Sequence, residues 1–382
     1  MKVAVLTNNF PPCLDGVGDY SYHLASEFQR NGHKVSVLCR QDRAIQKAVA
    51  NGQFNILVSP TIPAWNWLAI RPLRRFIREQ RPDWLLVQYV PNGFQQWAIP
   101  IWLPVLLWLV KREGVKVSIT FHEVYVRMTY WPLRYWLVGI LQRVVCIALA
   151  RVADSLITSI DLYACMLRKY TRKEVNVIPI GSNILPVPVT TDERLAIRNQ
   201  IAPVGQAIIS TFGLRNQDLL LTVFDELIKL KPDTCLLICS KLNISADSQV
   251  LYKRLKAHIT VTGFIDAPDV YLYLQSSDVF FIPDVVNKRG EGGTSNKSTS
   301  LASALVAGLP VVGIVGDMNN DLLSLIPHLF LADIAEPKSI AQKMLTMIND
   351  VDKCSQRKSI KQFSDEHLSW RAIYKQYMLC TV

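Results

Sequence analysis

The sequence predicts an α/β fold of two doubly wound, Rossmann-like domains facing a cleft. Three observations predict it. The chain has 382 residues, more than one hydrophobic core usually supports. It opens with a strand–helix–strand pattern, and after a proline-bearing break it begins a second alternation of apolar strands and amphipathic helices. Half of the residues are hydrophobic and 19% are charged, with no low-complexity tract, so the whole length is expected to fold.

Residues 3–6 read as a buried strand, 8–19 as a loop rich in turn residues, 20–31 as an amphipathic helix and 34–38 as the next strand. Further apolar runs at 84–90, 115–120, 155–158 and 175–178 alternate with helical stretches, as a parallel sheet covered on both faces requires. Residues 1–182 form the expected first domain. Pro186, Pro188 and Pro203, with little apolar periodicity beyond a short charged helical piece, mark 183–205 as a linker. A second domain over 206–360 takes strands at 207–212, 234–239, 259–262, 279–282 and 311–314, with helices at 218–230 and 300–307 among the connections. The segment 361–382 ends in a helical stretch with no strand after it and is expected to pack back on the first domain.

Eight cysteines are scattered without zinc-site spacing, and Cys235 with Cys239 alone is too few ligands for a metal. The start lacks a signal-peptide core, which together with the cysteine usage gives a cytoplasmic expectation. Charge is lopsided: residues 1–182 hold 22 Lys and Arg against 11 Asp and Glu, while the remainder holds 20 of each. Such an excess suits a polyanionic partner, or simply a solvated basic face. Residues 97–110 are apolar but too short to span a bilayer and contain Pro100 and Pro104. With Trp65, Trp67, Arg71, Arg74, Arg75, Arg78 and the run Trp131-Pro132-Leu133-Arg134-Tyr135-Trp136, they mix aromatics and arginines as interfacial surfaces do, although core helices with solvated arginines would look the same. Peripheral attachment to an anionic membrane surface, on its inner face, is one expectation; a nucleic-acid partner is not, since no nucleic-acid motif accompanies the basic residues.

Candidate functional residues cluster where strands end, the ligand-binding edge of a parallel sheet. Gly16 and Gly18 follow the first strand and let backbone approach a ligand beside a helix N-terminus; a tight turn is the alternative. His122 and Glu123 follow the strand at 115–120, placing an imidazole for hydroxyl binding or proton transfer, or else a structural histidine oriented by the glutamate. The most telling segment runs from Gly290 through Glu291, Gly292, Gly293, Thr294, Ser295, Asn296, Lys297, Ser298 and Thr299 into a helix near Ser300. Its glycines allow a nest of N–H groups, its hydroxyls cap the helix and meet phosphate oxygens, and Lys297 adds a compact cation. The phosphate-loop spacing of ATPases is absent. Arg215, after Phe212-Gly213-Leu214, and Gly263 end neighbouring strands and could reach the same phosphates.

Taken in order, these pieces resemble a GT-B fold glycosyltransferase of the large family 4 type, also described as glycosyl transferases group 1. The likeness covers nearly the whole length and rests on Asn8-Asn9-Phe10-Pro11-Pro12 through Gly16-Val17-Gly18-Asp19-Tyr20, on Gly32-His33-Lys34-Val35, Phe121-His122-Glu123, Ile178-Pro179-Ile180-Gly181-Ser182-Asn183, Val261-Thr262-Gly263-Phe264, Ala304 through Val312, and the ending 363–370. The resemblance implies a nucleotide diphosphate sugar bound chiefly by the second domain, an acceptor on the first, and transfer of a hexose-type sugar with retention of configuration, without a metal or other cofactor. It implies that His122 lies near the donor sugar, Gly16 and Gly18 near its diphosphate, and Arg215 and the Lys297 loop at the phosphates. A lipid-linked or polysaccharide acceptor fits the aromatic, basic first domain.

The chain departs from the family in two places. Where the family carries two glutamates separated by seven residues, this sequence has Ser295 and Ser303; Glu291 lies four residues early, and Ser295-Asn296-Lys297-Ser298 resembles the Ser-x-Arg/Lys-Ser loop of some members. The lysine that follows the phosphate arginine in many members has no match, since Gln217 and Asp218 stand there. The missing glutamates leave open a catalytically silent sugar-nucleotide-binding or scaffold subunit of a glycan assembly system. An epimerase acting on nucleotide sugars is a further possibility.

Overall fold

The computed structural model describes the chain except for residues 127–132, 204, 214, 215, 335, 381 and 382, and it omits the side chains of 133–135. The chain divides into two compact units, Met1–Pro179 with Trp370–Val382, and Ile180–Ser369. Each unit is built on one fully parallel sheet with helical connections, so the predicted pair of doubly wound α/β folds is what the chain adopts.

The first sheet has seven strands: β1 (Lys2–Leu6), β2 (Lys34–Arg40), β3 (Leu57–Ile62), β4 (Trp84–Tyr89), β5 (Lys116–Phe121), β6 (Ser155–Thr158) and β7 (Val175–Val177), ordered β3-β2-β1-β4-β5-β6-β7. Strand order reverses at β1, which pairs with β2 on one side (Val5↔Val37) and β4 on the other (Val5↔Leu86). The strand β3 was not foreseen because Ser59, Pro60 and Thr61 dilute its apolar pattern; it lies at the sheet's edge, where a proline costs no ladder bond.

The second sheet has six strands: β8 (Ala207–Phe212), β9 (Thr234–Cys239), β10 (Ile259–Val261), β11 (Val279–Phe281), β12 (Val311–Ile314) and β13 (Leu329–Ala332), ordered β10-β9-β8-β11-β12-β13. Its reversal falls between β8 and β11. The overlooked β13 is again an edge strand, only half buried.

Two expected boundaries differ in the structure. Within 183–205 the helix Thr191–Ile201 forms, opened by a reciprocal cap in which Glu193 N–H donates to Thr190 Oγ1 at 3.2 Å and Thr190 N–H to Glu193 Oε2 at 2.8 Å. Only Ile201 of this helix is buried, packed with Ala202, Ile208 and Cys235, so the sequence showed no apolar stripe. At the other end, the helix Lys353–His367 runs through residue 360 and buries Ile360 and Phe363 in the second unit's core.

The last helix, Trp370–Leu379, packs into the first unit. Trp370, Ile373 and Tyr377 share one buried face. Tyr377 hydroxyl meets Tyr20 hydroxyl at 3.0 Å and Thr120 Oγ1 at 2.7 Å, and Trp370 stacks on His23. Among the described residues no helix is long and apolar enough to cross a membrane.

Candidate functional site

In the first unit the carboxyl edge of the sheet begins with Asn8 and Asn9, directly after β1. Asp15 caps the helix Gly16–Arg30: one carboxylate oxygen accepts Val17 N–H at 2.9 Å and the other accepts Asn9 Nδ2 at 2.9 Å. The loop is thereby fixed by its own polar groups. The two glycines differ. A Cβ on Gly18 would stand 3.2 Å from the carbonyl carbon and oxygen of Asn9, so Gly18 serves the close approach of helix to loop rather than a ligand. A Cβ on Gly16 would meet nothing within 4 Å, leaving that backbone accessible.

His122 follows β5 and is 7% exposed. Its Nε2–H donates to Gln88 Oε1 at 2.8 Å, its backbone N–H donates to Tyr89 O, and its ring meets Tyr20 edge-on at 4.9 Å. The orienting partner is therefore Gln88, at the end of β4, not Glu123, whose side chain is exposed. An amide oxygen only accepts, so Nε2 is the donor in this contact. Gln88 escaped the sequence reading, although a buried amide inside Trp84-Leu85-Leu86-Val87-Gln88-Tyr89 was the available signal.

Buried polar atoms without a protein partner gather at this edge. Asn9 Oδ1, Arg40 Nε, Gln88 Nε2, Tyr89 hydroxyl and Ser159 Oγ all sit at or just past the carboxyl ends of β1, β2, β4 and β6. Buried polar groups of this kind are met by water, an ion or a ligand. A pocket of about 620 Å³ opens there, lined among others by Asn8, Arg40, Trp65, Asn66, Asn92 and Gln95. Amides, a guanidinium and an indole are suited to a polyhydroxylated ligand with an anionic group. Trp65 is held in place: its Nε1–H donates to Asn8 Oδ1 at 2.6 Å and its ring stacks on Trp102.

In the second unit the glycine-rich segment leaves the region after β11, and the nest expected of it does not form. The N–H groups of Gly290, Glu291, Gly292, Gly293 and Thr294 donate to Asn287 O, Asn287 Oδ1, Asp317 Oδ1, Val285 O and Ile314 O respectively. The glycines are required because chain passes against chain. A Cβ on Gly292, at φ +120°, would run into the Val285 carbonyl oxygen, and one on Gly293 would lie 2.8 Å from Gly316. Glu291 does not fold back as a substitute for the absent family glutamates: its carboxylate accepts Asn287 Nδ2 at 2.7 Å within the turn.

The candidate anion site begins after the glycines. Ser298 caps the helix Thr299–Val306, accepting Leu301 N–H at 3.2 Å, while the amides of Thr299 and Ser300 open the helix with no acceptor inside it. Ser295, Asn296, Ser298 and Ser300 are buried, and Lys297 is half exposed among them. Asn296 donates through Nδ2 to Asn320 Oδ1 at 2.8 Å and its backbone oxygen accepts Ile180 N–H, yet its Oδ1 is buried without a partner. Asn183 Oδ1 is stranded in the same way. A Cβ on Gly213, after β8, would lie 3.3 Å from Ser300 Oγ, so the exits of β8 and β11 converge on this helix opening, at the reversal of strand order. Arg215 lies outside the described residues. Gly263 has φ +71° and open space over it, but it follows the edge strand β10, two strands from the reversal.

Ser303, one turn into the helix, is fully buried. It donates to Thr299 O at 2.7 Å and meets Ser182 Oγ at 2.9 Å, and Ser182 is tied in turn to Ile184. A hydroxyl pair thus fills the place where the family carries its second glutamate. Among the described residues there is no group of three or more His, Cys, Asp or Glu that could hold a metal ion.

The sequence matches the model of Glycosyltransferase Family 4 over residues 14–183 and that of Glycosyl transferases group 1 over residues 205–350. No curated protein is matched. Solved structures share the fold along the whole chain at low identity. HepE of Anabaena, in complex with UDP, is 14% identical with a TM-score of 0.69, the match covering all of both chains. Sucrose-phosphate synthase of Thermosynechococcus elongatus is 14% identical with a TM-score of 0.66, over 99% of this chain and 98% of that one. A putative UDP-N-acetylglucosamine 2-epimerase of Listeria monocytogenes is 12% identical with a TM-score of 0.59, over 99% and 94%.

Proposed function

Since the chain belongs to the family 4, group 1 glycosyltransferases, we propose that it moves a hexose-type sugar from a nucleotide diphosphate sugar to a lipid-linked or polysaccharide acceptor, with retention of configuration and without a metal. The observation that carries the reading is the opening of the helix Thr299–Val306. Two amides without intrahelical acceptors, buried hydroxyls and Lys297 meet at the reversal of strand order, while the stranded Asn296 Oδ1, an acceptor, suits a sugar hydroxyl rather than a phosphate oxygen. Charge grows on the departing nucleoside diphosphate as the sugar bond breaks. Fixed amide dipoles and a lysine at that point stabilise the leaving group more than the bound donor. Arg215 would add a bidentate contact, and Ser295, Ser298 and Thr299 would donate hydroxyls to phosphate oxygens.

In the first unit, His122 held by Gln88 would hydrogen-bond the transferring sugar, Gly16 would give a close approach to the donor, and the amide-lined pocket would take the acceptor. UDP is the first nucleotide to try, because the similar Anabaena protein was solved with it. A peripheral position at the inner face of a membrane agrees with the basic first unit.

One observation favours a second reading, the silent sugar-nucleotide-binding subunit: the Ser182–Ser303 pair offers no carboxylate to a ribose. Turnover separates the two. Incubation with a panel of nucleotide sugars should release nucleoside diphosphate, undiminished by a chelator, and with acceptor the product should keep the donor's anomeric configuration by NMR. Nucleotide binding with no release from any donor would establish the silent subunit instead.

A further inference from the structure

In the first unit the helices Trp102–Arg112 and Leu133–Val152 pack against each other, and each turns an apolar ridge outward. On the first, Ile101, Val105 and Trp108 recur at intervals of four and three, and all are exposed. On the second, Leu137, Ile140, Leu141 and Val144 are exposed with the same helical spacing. Trp97, 71% exposed, and Trp136 extend the surface. Trp131 and Pro132, which belong to the same stretch of sequence, lie outside the described residues. Scattered apolar side chains on a surface need no explanation, whereas a face shared by two packed helices does.

Charge decides what covers it. All of the chain's +11 excess lies in residues 1–182. Arg112 holds its guanidinium 4.9 Å over the Trp108 ring, at the edge of the face, whereas Arg143 turns its guanidinium onto the Tyr125 ring at 4.4 Å. The helix Ile70–Gln80, packed on Trp102–Arg112, adds the exposed Arg71, Arg75 and Arg78. Of the acidic groups near them, Glu113 faces Arg74 and Arg78, Glu79 faces Arg75, and Asp154 faces Lys111. A second copy of this face would set these cations against their like. An anionic bilayer accepts both elements, the ridges and indoles at the acyl boundary and the arginines at the headgroups.

We propose that this face docks on an anionic lipid bilayer. Docking places the polar pocket of the first unit at headgroup level. Gln95 lines that pocket, and its Oε1 accepts the N–H groups of Trp97 at 2.7 Å and Ile99 at 3.0 Å, fixing the loop that joins pocket to ridge. Trp65 in the pocket wall stacks on Trp102, the first residue of the docking helix. The pocket would then take the sugar head of an acceptor whose tail stays in the membrane. This last step rests on the acceptor reading above; docking itself does not.

The test is sedimentation of the full chain with vesicles of phosphatidylcholine alone and of equal parts phosphatidylcholine and phosphatidylglycerol. Binding to the anionic vesicles is expected to be at least about tenfold stronger and to weaken with added salt. The double variant Trp108→Glu, Leu141→Glu changes exposed positions only, so its melting temperature should match the parent while its vesicle binding is lost. Equal, weak binding of the parent to both vesicle types would overturn the proposal, as would unchanged binding of a folded double variant. A parent that dimerises in solution and becomes monomeric in the double variant would assign the face to a second copy. Nucleotide binding by the second unit, measured in parallel, should be the same in parent and variant, which keeps this test independent of the donor site.

Discussion

The two carboxyl edges use glycine in opposite ways. In the first unit Gly16 opens a helix with space over it, while Gly18 is filled by the backbone of Asn9. In the second unit Gly292 and Gly293 are both consumed by chain packing, and the open amides appear six to eight residues later, at Thr299 and Ser300. Glycine thus marks close approach without saying what approaches. What surrounds the glycine, not the residue type, separates a ligand-facing position from a packing one.

That contrast can be broken first at Gly292. Gly292→Ala sets a Cβ against the Val285 carbonyl at a backbone angle side chains avoid, and should cost about 3 kcal/mol or more in urea denaturation. A loss under ~1 kcal/mol would mean the loop is not closed as described.

The amino edge of the same sheet gives the next test. Burial works to raise the Asp278 carboxyl, but Arg198 at 2.7 Å, the Ile208 N–H and Lys353 outweigh it and hold it below the ordinary carboxylate range. A depressed carboxylate stabilises the fold at pH values above its unfolded titration, and that contribution fades as pH falls through the lower folded value. Asp278→Asn should therefore cost about 2 kcal/mol near neutrality, with the difference narrowing below about pH 4. A pH-independent difference would contradict the assignment.

The smallest effects lie at the first helix. Gly18→Ala should cost about 1 kcal/mol, whereas Gly16→Ala should leave stability within ~0.5 kcal/mol and lower turnover alone. Equal stability losses at both would erase the distinction drawn between them.

The sequence was legible where burial imposed a pattern. Strands such as 207–212 and 234–239 agree with the structure to the residue, because inner parallel strands are buried along their length and so mostly apolar. Ser59, Pro60 and Thr61 dilute the edge strand β3, and the helix Thr191–Ile201 buries only Ile201, so neither shows a period; β13 is an apolar run of four residues, too short to mark itself as a strand. At the candidate site, a hydroxyl cap on a helix beginning near Ser300, with Lys297 beside it, was legible from local chemistry near a strand's end, and the structure puts that cap at Ser298. The roles of Gln88, Ser182 and Ser303 were not legible, because each depends on a partner 34 or 121 residues away. The glycine nest misled for a related reason, since the acceptors that consume its amides include Asp317 and Ile314, on the far side of the helix Thr299–Val306 in sequence.

The central claim is that the opening of that helix, with Lys297, holds a nucleoside diphosphate. Calorimetric titration with UDP, GDP and ADP tests it most directly, on the parent, Lys297→Ala and Lys288→Ala, the last removing an equal charge from the exposed turn nearby. One nucleotide should bind the parent, lose about tenfold or more in affinity in Lys297→Ala, equivalent to ~1.4 kcal/mol, and bind Lys288→Ala unchanged. Binding by none of the three, or equal affinity in Lys297→Ala, would contradict the account.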